Sequence, residues 1–295
     1  MILFTFPEYE YIGSILRKSP DYKKGVFSIN RYANQEMYIT LGADVRGQEC
    51  TILGTITPPD TNLVSFLLLA DTLKRNGARK VIALLPYLSY ARHDKIVAKE
   101  SLATAWAGGL FERSQVDAIT TLSLHSDEDR EYIPIPINSL SLSDTFATII
   151  AKRSLTDAAL VAPDEGAIDR CEAVKRAAYM TTNVAHFKKR RTKNGGITTS
   201  QLIGSVKPSV VIIDDMIDTG QTLIACCKKL KTLGVKRITI MVTHGIFTGT
   251  DWQQLWKLGV DRIYCTDSIP PSLQPKDARI TIIPIAPLLQ AALLR

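Results

Sequence analysis

The segment at residues 214–222 combines acidic, hydroxyl and glycine residues at the boundary between two predicted elements. It follows an apolar run, residues 210–213, that is typical of a buried strand, and it leads into a helix predicted over residues 223–233. A helix that begins where a strand ends leaves unpaired backbone N–H groups and a positive dipole end at the edge of the sheet. Phosphate groups bind at such helix ends.

Each residue type in this segment has a use in such a site. Gly220 lets the backbone approach a phosphate closely, and the hydroxyls of Thr219 and Thr222 can donate hydrogen bonds to its oxygens. Asp214 and Asp215 carry the wrong charge for phosphate, but they can accept hydrogen bonds from vicinal sugar hydroxyls. A plain helix N-cap needs one such residue, whereas this segment holds three Asp, two Thr and one Gly. We therefore predict a sugar-phosphate site here.

Bulk composition limits the other partners. The net charge of +7 suits either a nucleic-acid binder or an enzyme that handles several phosphates. Basic residues are scattered except for the cluster at 188–191, which has no aromatic ladder or zinc-finger spacing beside it, so we expect no nucleic-acid partner.

The five cysteines lack metal-ligand spacing and are expected to be buried thiols. No apolar stretch reaches about 18 residues, so we expect no membrane association and a cytoplasmic location.

The arrangement of predicted elements indicates the fold. Apolar, β-branched runs alternate with amphipathic stretches along the chain, which is typical of an α/β protein with mainly parallel sheets flanked by helices. Residues 73–82 resemble residues 230–239: each has a helix end, a glycine, a basic pair and a buried strand. With a length of 295 residues, this similarity favours two domains of related fold, at residues 1–140 and 141–295.

The segment 214–222 resembles the phosphoribosyl-pyrophosphate signature of type I phosphoribosyltransferases and of ribose-phosphate pyrophosphokinases. By itself it does not choose between the two. The first half of the chain favours the pyrophosphokinases, because residues 86–95 resemble their Pro-Tyr-x-x-Tyr-Ala-Arg-Gln-Asp segment. Further resemblances follow in order and with compatible spacing, at residues 31–36, 45–47, 124–125, 163–166 and 243–244. A simple phosphoribosyltransferase would account only for the second half.

The resemblance implies two phosphoribosyltransferase-like (type I) domains and a specific reaction. A member of this family transfers the pyrophosphoryl group of ATP to the anomeric hydroxyl of ribose 5-phosphate, giving phosphoribosyl pyrophosphate and AMP, with Mg²⁺ required. Such a reaction gathers many negative charges, so positioning and cationic stabilisation must supply most of the catalysis. Two alternatives stay open: a phosphoribosyltransferase, and a regulatory homologue with weakened catalysis.

The resemblance also assigns roles to individual residues. The expected ATP site comprises Tyr32, Asn34, Glu36, Arg92, His93 and Asp94. The expected ribose 5-phosphate site comprises Asp214, Asp215, Asp218, Thr219, Gly220, Gln221 and Thr222. The expected Mg²⁺ ligands, direct or through water, are His125 and Asp164. The expected catalytic cations are Lys189 and Arg191. In this family the stretch at residues 31–36 reaches the site of a neighbouring subunit, which implies a homo-oligomer with its ATP site near a subunit interface.

The chain departs from the family pattern at several of these positions. His93 replaces a Gln, and Ser123 stands where the family usually places an Asp. Losing that carboxylate weakens Mg²⁺ binding unless Asp127 or Asp129 substitutes for it. The catalytic pair is also open to a second alignment, because counting back from Asp214 selects residues 188 and 190 instead. Counting to the glycine at position 204 favours Lys189 and Arg191.

Overall fold

The computed structural model describes residues 1–126, 129–191 and 197–293, and of residues 189–191, 197–200 and 293 it describes only the backbone. The chain divides into two compact units. The first comprises Met1–Leu140 and Ile285–Arg295, and the second comprises Ser141–Pro284.

The described residues of the first unit form a six-stranded sheet whose neighbouring strands all pair in parallel, in the order β2-β1-β5-β6-β7-β8. A separate antiparallel hairpin is formed by β3 and β4. The strands are β1 (Ile2–Thr5), β2 (Lys23–Lys24), β3 (Phe27–Arg31), β4 (Met37–Leu41), β5 (Glu49–Leu53), β6 (Lys80–Leu85), β7 (Ala118–Leu122) and β8 (Ile137–Leu140). The helices before the unit boundary are α1 (Glu10–Leu16), α2 (Thr61–Arg75), α3 (Ala103–Arg113) and α4 (Asp129–Tyr132).

Helical periodicity explains how α2 covers this sheet. Its buried residues Leu63, Phe66, Leu69, Ala70 and Leu73 recur three or four positions apart, so they form one apolar stripe. This stripe packs in the same core cluster as sheet residues of β5 and β6. The sheet is therefore buried on this face, as expected for parallel strands joined by helices.

The second unit contains a seven-stranded sheet in the order β11-β10-β9-β12-β13-β14-β15. Its pairs are parallel except for β10 with β11. The strands are β9 (Ala159–Ala162), β10 (Ala185–Arg191), β11 (Ile197–Ile203), β12 (Ser209–Ile217), β13 (Arg237–Gly245), β14 (Val260–Thr266) and β15 (Ile280–Ile283). The helices of this unit are α5 (Ser143–Lys152), α6 (Ile168–Ala177), α7 (Gln221–Thr232) and α8 (Gln254–Lys257).

The final helix, α9 (Ala286–Leu293), belongs to the first unit. Ile285, Ala286 and Leu289 are buried in one cluster with Leu3 and Tyr9. The sequence had suggested that the second domain runs to residue 295, but these apolar positions find their buried surface in the first unit. The chain therefore returns to the first unit after β15.

These observations confirm the predicted fold class, an α/β architecture with mainly parallel sheets and helices around them. The five cysteines are buried and free, as predicted. Among the helices of the described residues, none combines the length and the apolar character that crossing a membrane requires.

Candidate active site

The predicted sugar-phosphate segment lies between β12 and α7, but the strand is longer than the sequence suggested. It reaches Ile217 rather than residue 213, because Asp214 pairs with Val242 and Met216 with His244 of β13. Asp214 and Asp215 are therefore part of the strand. The loop itself is limited to residues 218–220, and the helix begins at Gln221.

The helix entrance is open to solvent. Thr219 and Gln221 are exposed, and Asp218 and Thr222 are partly exposed. Among the turn and loop hydrogen bonds of the described chain, none uses the backbone N–H of residues 219–222 as donor. These are the groups that a helix leaves unpaired at its first turn, so they are available to an anion.

Gly220 is required at this entrance for two physical reasons. Its φ of 82° lies in the left-handed region, which residues with a side chain rarely adopt. A Cβ at this position would also lie 2.9 Å from both Cα and Cβ of Trp252. The backbone here can thus be held close to its neighbour only with glycine.

The neighbouring Gln221 shows a contact that the sequence did not reveal. Its side-chain amide Nε2 donates a hydrogen bond of 2.8 Å to Oδ2 of Asp251. Asp251 begins the short 3-10 turn that also carries Trp252. In this structure the Gln221 side chain is therefore directed to its own unit, and its backbone N–H is the group presented at the helix entrance.

Asp214 and Asp215 form an acidic cluster under this entrance. Both are largely buried, and Asp214 lies 3.9 Å through Oδ1 from Nη1 of Arg170. Burial and then the negative charge of Asp215 raise the pKa of Asp214 well above its usual range, while Arg170 opposes this and Asp164 adds to it. The structure thus brings together three acids that the sequence had singled out. Arg170, on α6, was missed because nothing local marks it.

The acidic cluster fits a divalent cation that arrives with its substrate. In the described part of the chain, no three His, Cys, Asp or Glu side chains are grouped so as to hold a metal. Mg²⁺ at phosphate-transfer sites commonly keeps several waters and uses one or two carboxylates together with substrate phosphates. One or two carboxylates of this acidic cluster could serve in this way, and a cation would relieve the repulsion that Asp215 and Asp164 exert on Asp214. His125, the other predicted ligand, is an exposed residue of the first unit.

The predicted nucleotide segment of the first unit follows β6. Arg92 is exposed, whereas Asp94 is only 7% exposed. His93 Nε2 lies 2.8 Å from Oε2 of Glu100. The Tyr90 hydroxyl donates a hydrogen bond of 2.6 Å to Oδ1 of Asp60, and this bond is the main reason that the pKa of Tyr90 rises to about 12. The segment therefore presents Arg92 to solvent and turns Asp94 inwards.

Ser126, in the segment after β7, forms hydrogen bonds with two buried carboxylates, Asp94 and Asp129. The Ser126 hydroxyl donates to Oδ2 of Asp94 at 2.7 Å, and the Ser126 N–H donates to Oδ2 of Asp129 at 3.3 Å. Asp129 is 0% exposed, and burial raises its pKa to about 6. It is therefore not presented to solvent as a replacement for the carboxylate missing at Ser123. The other acid considered for that role, Asp127, lies outside the described residues.

The three predicted adenine-binding residues lie at the tip of the β3–β4 hairpin. Tyr32 is 58% exposed and its ring centroid lies 4.6 Å from that of Tyr38. Asn34 Oδ1 accepts a hydrogen bond of 3.1 Å from the Glu36 N–H. The structure thus brings Tyr32, Asn34 and Glu36 to one exposed turn.

Lys189 and Arg191 lie on β10, whose antiparallel partner is β11. Their backbone positions are opposite Thr199 and Ile197, and the register shifts between residues 188 and 189. Their side chains lie outside those that the structure describes, so the choice between the two alignments stays a prediction.

Comparison with known proteins finds matches to residues of both units. Residues 1–113 match the family described as the N-terminal domain of ribose phosphate pyrophosphokinase, and residues 157–295 match the phosphoribosyl synthetase-associated domain. A ribose-phosphate pyrophosphokinase of Mycoplasma pneumoniae is 30% identical over 281 residues, which are 92% of this chain and 84% of that protein. One of Chromobacterium violaceum is 29% identical over 300 residues, covering 100% of this chain and 91% of that protein.

A solved structure shows the same similarity in three dimensions. The crystal structure of phosphoribosylpyrophosphate synthetase from Mycobacterium smegmatis aligns with a TM-score of 0.87 at 25% sequence identity. The alignment covers 99% of this chain and 97% of that one. It includes both units of the fold.

Proposed function

This chain belongs to the ribose-phosphate pyrophosphokinase family, and we propose that it transfers the pyrophosphoryl group of ATP to the anomeric hydroxyl of ribose 5-phosphate. The products are phosphoribosyl pyrophosphate and AMP. The observation that carries the proposal is the open helix entrance after β12, with an acidic cluster beneath it. Few other ligands need an anion site and vicinal hydroxyl acceptors so close together.

Ribose 5-phosphate binds, in this proposal, along the end of β12. Its phosphate accepts hydrogen bonds from the backbone N–H groups and hydroxyls of Asp218, Thr219, Gly220, Gln221 and Thr222. Its vicinal hydroxyls donate to the carboxylates of Asp214 and Asp215. Because the pKa of Asp214 is raised in the free protein, cation binding nearby would favour the ionised carboxylate that accepts these bonds.

ATP binds, in this proposal, through residues of the first unit, with Mg²⁺ on its phosphates. Arg92 contributes a guanidinium whose forked donors match a phosphate group, and His93 and Asp94 belong to the same segment. Tyr32, Asn34 and Glu36 offer a ring for stacking and polar groups for the adenine amine. Bound Mg²⁺ would neutralise phosphate charge, and Asp164 and His125 are each proposed as a ligand, directly or through water.

Lys189 and Arg191 complete the proposed site as the cations that stabilise charge on the transferred group. Positive charge directed at the developing negative charge is the main contribution that a protein makes to phosphoryl-type transfer. The homo-oligomer, its ATP site near a subunit interface and the cytoplasmic location also stay predictions.

The test is release of AMP from ATP, Mg²⁺ and ribose 5-phosphate without any base acceptor, with Asp214→Ala compared in parallel. Asp144→Ala is the matched control, because Asp144 is an exposed acid on α5 of the same unit. The proposal requires AMP from the wild type and the control, and a large loss in Asp214→Ala.

Two other results would replace the proposal. Activity only with phosphoribosyl pyrophosphate and a base would make the chain a phosphoribosyltransferase. Ribose 5-phosphate binding without AMP release would support a regulatory homologue, which the serine at position 123 favours. Isothermal calorimetry with ribose 5-phosphate separates this second case from a misfolded preparation.

A further inference from the structure

Asp94 differs from the other residues proposed for the nucleotide segment, because it is buried and its carboxylate already accepts a hydrogen bond from Ser126. It is 7% exposed, whereas Arg92 is exposed. Its Oδ2 accepts the hydroxyl proton of Ser126 at 2.7 Å. A carboxylate turned inwards in this way is poorly placed to contact a nucleotide, and its charge would repel a phosphate.

The Asp94–Ser126 hydrogen bond connects two separate stretches of the first unit. Asp94 lies in the segment between β6 and α3, and Ser126 lies in the segment after β7. Ser126 directly follows His125, and Asp94 closely follows Arg92. One part-buried hydrogen bond thus joins the backbone that presents the proposed phosphate-binding arginine to the backbone that presents the proposed Mg²⁺ histidine.

The first turn of α3 fixes the same segment from the other side. The Thr104 hydroxyl lies within donating distance of the carbonyls of Tyr90, at 3.1 Å, and His93, at 3.2 Å. Thr104 is 1% exposed, so these contacts are shielded from water. Tyr90 has a φ of 68°, in the left-handed region that a tyrosine adopts only when its surroundings hold it there.

We propose that Asp94 is a positioning residue, which sets the distance between Arg92 and His125 through its hydrogen bond to Ser126. This inference rests on the proposed function, since it assigns Arg92 and His125 to the same nucleotide–metal complex. Its physical basis is that small misplacements of a catalytic group have large effects on rate, about 100-fold for 1 Å. Removing the hydrogen bond releases the segment on one side while Thr104 still holds the other. We therefore expect a partial loss of activity.

The test compares four single variants, one double variant and one control variant by steady-state kinetics. Ser126→Ala and Asp94→Ala remove the hydrogen bond, whereas Ser126→Thr keeps the hydroxyl and Asp94→Asn keeps an acceptor oxygen. Ser65→Ala is the matched control, since Ser65 is another serine of the first unit whose hydroxyl donates one part-buried hydrogen bond. Thermal unfolding of each variant shows whether the fold is retained.

The expected result has a pattern that a merely structural role would not give. Ser126→Ala and Asp94→Ala each lower kcat about tenfold and raise KM for ATP, while the dissociation constant for ribose 5-phosphate is unchanged. Ser126→Thr and Asp94→Asn stay within about threefold of the wild type. The double variant Asp94→Ala/Ser126→Ala is no worse than Asp94→Ala, because both changes remove the same bond.

Two results would overturn the proposal. If Asp94→Asn is as damaging as Asp94→Ala and Ser126→Ala is normal, the charge of Asp94 acts directly on nucleotide or metal. If the single effects add in the double variant, the two residues act independently. Failure of the proposed function is distinguishable, because the wild type would then release no AMP. Calorimetric ATP binding would in that case replace kcat as the readout, and unchanged ATP affinity in Ser126→Ala would reject the positioning role.

Discussion

The two units build their proposed sites in different ways. In the second unit, residues 214–222 follow one another in sequence and lie together at the end of β12 and the start of α7. In the first unit, the proposed nucleotide residues come from the hairpin tip, from the segment after β6 and from the segment after β7. The second-unit site is a continuous motif, whereas the first-unit site depends on contacts between separate stretches.

This difference determines what holds each site in place. The helix entrance depends on backbone geometry, above all on the left-handed Gly220 against Trp252. The first-unit segments depend on part-buried side-chain hydrogen bonds, such as Ser126 to Asp94. At the helix entrance we expect backbone changes to be more damaging than side-chain changes, and in the first-unit segments we expect side-chain changes to give graded effects.

The largest effect is expected from Lys189, which lies on β10 of the second unit and outside the segment 214–222. If Lys189 stabilises charge in the transition state as proposed, Lys189→Ala should lower kcat roughly 100- to 1000-fold. Ribose 5-phosphate should bind as before, because the helix entrance is intact. Single-turnover AMP release and calorimetry measure the two quantities. A near-normal rate would exclude Lys189, and the variant Lys188→Ala would then test the other alignment.

Gly220→Ala should give the next largest effect, on binding. Alanine at this position must adopt left-handed backbone angles, which costs about 1–2 kcal/mol. The close contact of its Cβ with Trp252 costs about 1–3 kcal/mol more. If about half of this strain, or about 1–2.5 kcal/mol, appears as lost binding free energy, affinity for ribose 5-phosphate falls about 5- to 70-fold. Calorimetry measures the loss directly.

Gly234→Ala provides the control for Gly220→Ala. Gly234 has a φ of 83°, but a Cβ there would meet nothing within 4 Å. This variant therefore carries the conformational cost without the clash, at a glycine outside the proposed site. Its affinity for ribose 5-phosphate should stay at the wild-type value. Equal losses in both variants would mean that general destabilisation, rather than the helix entrance, explains the result.

The contrast between continuous segments and contacts across the fold also explains which strands the sequence could predict. The apolar runs at residues 80–85 and 118–122 are short and clearly bounded, and the observed strands Lys80–Leu85 and Ala118–Leu122 have the same limits. The hairpin β3–β4 was missed as a pair of strands, since its residues are mostly exposed and lack a strong apolar pattern. The continuation of β12 to Ile217 was missed because two aspartates usually indicate a loop.

Site prediction had the same limit. The segment 214–222 could be recognised because its chemistry is consecutive in sequence. Arg170 beside Asp214, Asp251 beside Gln221 and Ser126 beside Asp94 are contacts across the fold. Sequence spacing does not predict these contacts, because each one is created by the arrangement of strands and helices in the fold. The assignment of α9 to the first unit was hidden for the same reason.

A smaller effect is expected from the buried acid of the first unit. The pKa of Asp129 is raised to about 6 in the folded protein, so the unfolded chain loses this proton at a lower pH than the folded chain does. Its contribution to stability is therefore greatest below about pH 4 and is lost as pH rises to about 6. Asp129→Asn should remove this dependence and be more stable than the wild type at pH 8, by about 2 kcal/mol. Urea unfolding at pH 5 and pH 8 measures it, and parallel pH profiles for the two proteins would contradict it.

The smallest effect is expected at Gln221, because its side chain already forms a hydrogen bond within the second unit. Because Gln221 Nε2 donates to Asp251 and only its backbone N–H faces the entrance, Gln221→Ala should change ribose 5-phosphate affinity less than about threefold. The same is expected of Asp251→Ala, which removes the other partner of this exposed hydrogen bond. A tenfold loss in Gln221→Ala with normal binding in Asp251→Ala would show that the side chain turns to the ligand. The second-unit site would then depend on side chains as the first-unit site does, and the contrast between the two would not hold.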